Sequence, residues 1–265
     1  MKIKYIIPFP LTQDKVEKRA AQIPQDLIRP DVVIEFIPVR NSAFLADSLY
    51  EGLLLEMFIF EAGMRSEEEG YDAVCIDTAS DSGMQALRSR LSIPVIGPGL
   101  VGCHIASMLG RKFSIISLFE RWNDNCKRNM IAYQMIHKVA SFRSLSDVQP
   151  DVANLMDGKE ELVYPQLENL CLKAINEDGA DAIVMASTTM HQAVNYLKDR
   201  LPVPVINPGI WGVRIAIDMV DLGISHSKRA YPSPGKLQDE IWSSLPSAQE
   251  FQPVDFRVVG LKPAR

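Results

Sequence analysis

A duplicated α/β fold is predicted: two pseudo-symmetric, doubly wound parallel-sheet lobes with a ligand cleft between them. Two observations lead there. First, the chain repeats itself. Asp72-Ala73-Val74-Cys75-Ile76-Asp77-Thr78 returns 109 residues later as Asp181-Ala182-Ile183-Val184-Met185-Ala186-Ser187, and Pro94-Val95-Ile96-Gly97-Pro98-Gly99 returns 110 residues later as Pro204-Val205-Ile206-Asn207-Pro208-Gly209. Lys2-Ile3-Lys4-Tyr5-Ile6-Ile7 matches Lys112-Phe113-Ser114-Ile115-Ile116-Ser117 at that same offset of 110. Three blocks in one order indicate a duplicated unit rather than a short-period solenoid. Second, strand-like and helix-like segments alternate within each copy, the pattern of parallel sheets covered on both faces. The first lobe is expected to comprise residues 1–98 with 208–265 as its continuation and tail, and the second lobe residues 99–207.

Each element has a local reason. Ile3–Ile7 is an apolar run closed by Pro8 and Pro10, as a buried strand requires. Thr12–Ile23 is a charged amphipathic helix, Val32–Val39 a β-branched strand, and Ser48–Glu69 a helix with apolar residues at helical spacing, ending before Gly70. Ala73–Asp77 and Pro94–Gly97 are strands, and each precedes a helix: Ser82–Leu91 lies between them and Leu100–Leu109 follows, stopped by Gly110. The second copy repeats the order with strand Phe113–Ser117, helix Asn123–His137, the weaker strand Val139–Leu145 and helix Lys159–Glu177. Strand Ala182–Ala186, helix Thr189–Arg200, strand Pro204–Asn207 and helix Ile210–Leu222 complete it. From Lys228 onward the chain is proline-rich with little periodicity, which reads as a segment wrapping the surface or reaching a partner subunit, not as a third domain.

The 265 residues, 47% hydrophobic and 23% charged, have an ordinary globular composition, and a net charge of −5 without a basic stripe excludes electrostatic nucleic-acid binding. Cys75, Cys103, Cys126 and Cys171 form no CxxC pair, so neither a zinc ribbon nor a redox motif is expected. The apolar stretch Leu53–Phe60 is broken by Glu56 and too short to span a bilayer. Residues 1–10 meet proline too early for a secretory leader. A cytoplasmic protein with no membrane or nucleic-acid partner is the expectation, with a homo-oligomer as its assembly.

In doubly wound folds the ligand lies beyond the carboxyl ends of the strands. Those ends here carry Pro8 and Phe9, then Asp77-Thr78-Ala79-Ser80-Asp81, then Ser117, and then Ser187-Thr188-Thr189. Thr78 and Ser187 are equivalent under the repeat, so two hydroxyls could face one ligand. Each hydroxyl run precedes a helix, where backbone N–H groups can hold an anion. Ser, Thr and Asp before a helix also act as plain caps, and that alternative remains open. His191 lies four residues after Ser187, where i and i+4 side chains share a helix face, and it could serve as a base with Asp77 or Asp81 as orienting carboxylate. His104, His137 and His226 have no metal-ligand spacing, and no GxGxxG follows the first strand, so neither a metal nor a dinucleotide cofactor is expected.

These positions carry a resemblance. Ser80-Asp81-Ser82-Gly83-Met84, the run Gly179–Thr188, Pro94–Gly97, and Leu222-Gly223-Ile224 through Ser227-Lys228 are similar to the aspartate/glutamate racemase superfamily, and within it to the hydantoin racemase branch, over roughly residues 1–235. The resemblance implies a cofactor-independent isomerase acting by proton transfer on a small carboxylate or cyclic amide. In that family one cysteine per half acts as acid or base, and the two matching positions here are Thr78 and Ser187. An alcohol is a far weaker acid than a thiol of pKa about 8.5, so the usual two-thiol mechanism does not carry over. The family's polar Asn-Pro-Asn-Thr segment after the first strand is replaced by Ile7-Pro8-Phe9-Pro10, implying a more apolar pocket wall. With His191 and Asp77 from the reading of the strand ends and helix turn, the candidate catalytic residues are Thr78, Ser187, His191 and Asp77. Pro8, Phe9, Ala79, Ser80, Asp81, Ser117, Thr188 and Thr189 are the implied substrate-binding residues. Hydrolysis or decarboxylation by Ser187 and Thr78, and a non-catalytic small-ligand-binding protein, are the alternatives.

Overall fold

The computed structural model describes residues 1–24, 28–146, 163–243 and 259–261. Two compact units emerge: residues 1–77, 81–97 and 213–265 form one, and residues 78–80 with 98–212 the other.

The first unit is built on strands β1 (Lys2–Ile7), β2 (Val33–Pro38), β3 (Ala73–Ile76) and β4 (Val95–Ile96), all parallel, in the order β4-β3-β1-β2. Helices α1 (Gln13–Ala21), α2 (Leu49–Gly63) and α3 (Met84–Arg90) connect them. The tail supplies more than a wrap: after the short helix α9 (Glu240–Ser243), β9 (Val259–Leu261) pairs antiparallel with β2 and closes that edge as a fifth strand. An exposed β2 edge would otherwise offer a row of unpaired backbone groups.

The second unit repeats the arrangement. Strands β5 (Phe113–Phe119), β6 (Val139–Ser146), β7 (Ala182–Met185) and β8 (Val205–Ile206) run parallel in the order β6-β5-β7-β8. Helices α4 (Pro98–Leu109), α5 (Trp122–Ala132), α6 (Tyr164–Asn176), α7 (His191–Leu197) and α8 (Pro208–Asp221) accompany it, α8 passing into the first unit after Gly212. The two sheets therefore share one strand order, with the topological switch point between β1 and β3 in one and between β5 and β7 in the other.

The repeated motifs have repeated physical roles. Asp72 and Asp181, each one residue before its strand, accept backbone N–H groups at the start of the neighbouring strand: Lys2 N at 2.7 Å in one unit, Arg111 N and Lys112 N at 2.9 and 3.2 Å in the other. The carbonyls of Pro94 and Pro204 accept Val74 N and Ile183 N at 2.8 and 2.9 Å, so each proline begins a strand without owing the ladder a donor. Strand alternation sorts the second core into two faces. Phe113, Ile115, Ala182, Val184 and Ile206 pack towards Cys103 and Ala106 of α4 and Met130 of α5, while Ile116, Leu118, Ile183 and Met185 pack towards Leu167 and Cys171 of α6 and Ala193 and Leu197 of α7.

Several boundaries differ from expectation. The helix expected over Ser48–Glu69 ends at Gly63 and continues as turns to Gly70, its start fixed by Ser48, whose hydroxyl accepts Glu51 N. The helix expected to reach His137 stops at Ala132, because Gln134 adopts a left-handed φ of 58° and breaks the ladder before a 3₁₀ turn at Ile136–Lys138. The start expected at Lys159 lies outside the described residues.

Candidate functional site

The two hydroxyl runs fold alike. Thr78 Oγ1 accepts the backbone N–H of Ser80 at 3.3 Å and lies 2.9 Å from Ser80 Oγ. Ser187 Oγ accepts the backbone N–H of Thr189 at 3.3 Å and lies 3.0 Å from Thr189 Oγ1. Each candidate hydroxyl thus closes a Ser/Thr turn on the residue two further along and pairs with its hydroxyl. Neither acts as a helix cap: the N-cap positions are Gly83 for α3 and Met190 for α7, and neither makes a side-chain cap bond. Although Asp77 and Asp81 belong to the first unit, Thr78, Ala79 and Ser80 cluster with the second, as do Ser187, Thr188 and Thr189. Asn129 on α5 anchors the first turn by donating Nδ2 to Ser80 O at 2.7 Å.

Asp77 is committed elsewhere. Its carboxylate receives Arg19 Nε at 2.7 Å, Arg19 Nη2 at 2.6 Å and Tyr5 Oη at 2.9 Å, with all three side chains buried. Burial opposes the Arg19 charge, but the adjacent Asp77 carboxylate more than offsets that and raises its pKa. The structure therefore gives Asp77 an ion-pairing role in place of the base or orienting role expected from its place at a strand end. The sequence signal for this was Arg19 in the last turn of an amphipathic helix, a position that ordinarily faces solvent. Ser117 is likewise spent internally: buried in β5, its hydroxyl lies 2.8 Å from Asn123 Oδ1 and 3.0 Å from Phe119 O.

Asp81 is buried and adopts a left-handed φ of 54°, a conformation that Asp tolerates better than most residues. Its carboxylate closes over Gly97, where an added Cβ would stand 2.7 Å from Asp81 Oδ1 and would also strike Met84 Sδ. Pro8 is buried, its carbonyl accepting the Ser42 hydroxyl, and Phe9 beside it is half-buried. Thr188 is buried and Thr189 half-buried. His191 opens α7 half-buried, with Nε2 3.2 Å from Asn195 Nδ2 one helical turn on.

Asn207 is a residue the sequence reading passed over as part of a turn. Oδ1 accepts Gly209 N at 2.9 Å at the head of α8, while Nδ2 is buried without a hydrogen-bond partner among the described residues. Gly209 has no room for a side chain: an added Cβ would stand 2.9 Å from Thr188 O and 3.2 Å from Thr188 Cβ. Gly209, whose backbone N–H Asn207 holds, therefore packs against Thr188. The signal was the contrast in the repeat, where Gly97 occupies the equivalent position.

No described thiol is poised as a thiolate among those with a resolved shift. Burial, then the Asp77 and Asp81 carboxylates, push Cys75 well above the usual thiol range, and burial with Glu168 pushes Cys171 up to about 12. Reactive cysteines need the reverse, an electropositive and accessible setting. The motif around Lys228 is structural: its ammonium donates to the carbonyls of Arg88, Ser89 and Leu91 at 2.8, 3.0 and 2.6 Å, closing the carboxyl end of α3. Among the described residues no helix is long and apolar enough to cross a membrane.

Paired 2-1-3-4 sheets with matched hydroxyl turns after their third strands define a duplicated α/β enzyme fold. The Asp/Glu/hydantoin racemase family model matches residues 11–216, and the chain belongs to that family of enzymes. It is 29% identical over 238 residues to a hydantoin racemase of Pseudomonas sp. (strain NS671), covering 89% of this chain and 93% of that protein. Among solved structures it is similar to an allantoin racemase from Klebsiella pneumoniae, with a TM-score of 0.80, 25% identity and coverage of 89% of this chain and 95% of that one. An unliganded arylmalonate decarboxylase shares the fold at a TM-score of 0.54 and 18% identity, covering 83% of this chain and 92% of that one.

Proposed function

We propose that this protein is a cofactor-independent isomerase-type enzyme that moves a proton at the carbon next to a carbonyl, in a small carboxylate or cyclic amide of the hydantoin or allantoin kind. The observation that carries the reading is the matched pair of turns closed by Thr78 and Ser187, the two positions that the resemblance aligns with the family's thiols. A base removes the proton, the C–H electron pair moves onto the carbonyl oxygen, and reprotonation of the carbon restores the carbonyl. Thr78 and Ser187 are too weakly acidic to carry that proton as thiols do. They act as hydrogen-bond donors to the developing oxyanion, with Asn207 Nδ2 as a further donor. His191 is the candidate proton carrier, since Asp77 is held by Arg19. Loss of both thiols also favours one-sided proton transfer, so decarboxylation of a related carboxylate is the second reading.

The test is exchange of the α-hydrogen for deuterium, followed by NMR alongside polarimetry, on hydantoins substituted at the reacting carbon, allantoin and small α-amino carboxylates. Removing one oxyanion donor costs about 10²–10³ in rate, so Ser187→Ala and Thr78→Ala should each lose activity on that order. Full activity in both variants would sink the proposal. His191→Ala should match them only if His191 carries the proton. Release of CO₂ in place of exchange would select the second reading.

A further inference from the structure

We propose that the cavity beside the two hydroxyl turns is a subsite for a methyl-sized alkyl substituent on the reacting carbon, and that it limits which substrates are accepted. This rests on the catalytic reading above, and it names what that reading leaves open: the group the substrate carries.

The cavity lies in the second unit between the sheet and helices α4 and α5. It measures about 20 Å³, is partly open, and has a predominantly apolar surface. Cys103, Ile115, Met130 and Val184 are among the residues that line it. Ala79 and Ala186 also line it, and these are the residues next to Thr78 and Ser187, so the space adjoins the expected position of the reacting carbon. A volume of this order accommodates one water molecule or one methyl group. A water there would need two to four polar partners. Asn129, the carboxamide in the lining, already gives its amide nitrogen to Ser80 O.

The internal repeat explains why the space exists. Tyr5 corresponds to Ile115, Arg19 to Asn129 and Asp77 to Ala186 at the repeat's own offsets. The strand registers agree, for Tyr5 stands opposite Cys75 as Ile115 stands opposite Val184. In the first unit the three longer side chains fill this place with an ion pair and a phenol. In the second, all three are cut back, and all three replacements line the cavity. The hollow is therefore a difference between the halves, not a property of the fold.

Burying one methyl group is worth roughly four-fold in kcat/KM, the equivalent of about 0.8 kcal/mol. Forcing larger groups into a packed wall should cost about ten-fold or more. The experiment compares hydantoins carrying hydrogen, methyl, isopropyl or benzyl on the reacting carbon, in the α-deuterium exchange assay. The methyl compound should lead hydrogen about four-fold, with isopropyl and benzyl below both. Met130→Ala should raise the isopropyl rate at least ten-fold relative to methyl. Exchange that ignores substituent size, or a preference that Met130→Ala does not move, overturns the subsite while leaving the catalytic reading intact. Exchange with none of the four overturns the catalytic reading instead. Xenon binding, followed by ¹²⁹Xe NMR, then decides the subsite without turnover. Displacement of xenon by the methyl compound but not by unsubstituted hydantoin supports it, and failure of the methyl compound to displace xenon overturns it.

Discussion

The same position in the repeat holds opposite chemistry in the two halves. Under the first switch point, Arg19 and Asp77 form a buried ion pair to which the Tyr5 phenol hydrogen-bonds. Under the second, Ile115, Asn129 and Ala186 leave an apolar hollow. Duplication copied the strand order and the hydroxyl turns, while the layer beneath them diverged. One half uses its layer to lock β3 to α1; the other leaves space that a ligand can use. A buried ion pair is weak evidence of net stability, since desolvation offsets much of the attraction, but breaking one leaves an unpaired charge in the interior. An apolar hollow carries no such unpaired charge.

The largest effect expected from this contrast is on stability. Asp77→Ala strands the Arg19 guanidinium and should destabilise the fold by about 3–5 kcal/mol, read from denaturant midpoints. Arg19→Met with Asp77→Leu, which removes both charges, should recover most of that loss. A double variant no better than Asp77→Ala would mean that packing, not charge, is what the pair contributes. A second comparison concerns Gly97 and Asn207. Gly97→Ala drives a methyl into Asp81 and Met84 and should cost about 1–3 kcal/mol by overpacking. Asn207→Gly should cost less stability and instead weaken substrate binding. Equal stability losses at the two sites would erase the distinction.

The smallest effect is a pH dependence confined to alkaline solution. Burial raises the pKa of Cys75 and of Tyr5 in the folded state. Their stabilising contribution is complete below the unfolded values, about 8.5 for the thiol and 10 for the phenol. As pH rises past those values the unfolded chain sheds protons that the folded chain keeps. Stability should then fall by up to about 1.4 kcal/mol per pH unit per group. Denaturation midpoints from pH 8 to 10 should flatten in Cys75→Ala. An unchanged slope would show that Cys75 is not the group responsible. The same protonated state predicts that Cys75 resists iodoacetamide at neutral pH, read by mass spectrometry of the treated protein.

The sequence by itself determined the architecture. Matching blocks at one offset and alternating periodicities sufficed for two doubly wound sheets, because strand and helix patterns depend on local spacing and on which face is apolar. It also paired Thr78 with Ser187, whose turns match in the structure, since equivalence under a repeat needs no coordinates. It missed the antiparallel β9, a three-residue strand whose existence depends on an edge formed more than two hundred residues earlier. It pointed to Asp77 as an available carboxylate because a strand end is an exposed place on average, whereas the partner that claims it comes from a helix 58 residues away. It read Asn207 as a turn residue, and only the tertiary structure showed its carboxamide oxygen holding Gly209 N beside Thr188. Tertiary structure decided which polar groups are spent and which remain available. That outcome depends on distances between segments remote in sequence, and local pattern does not encode them.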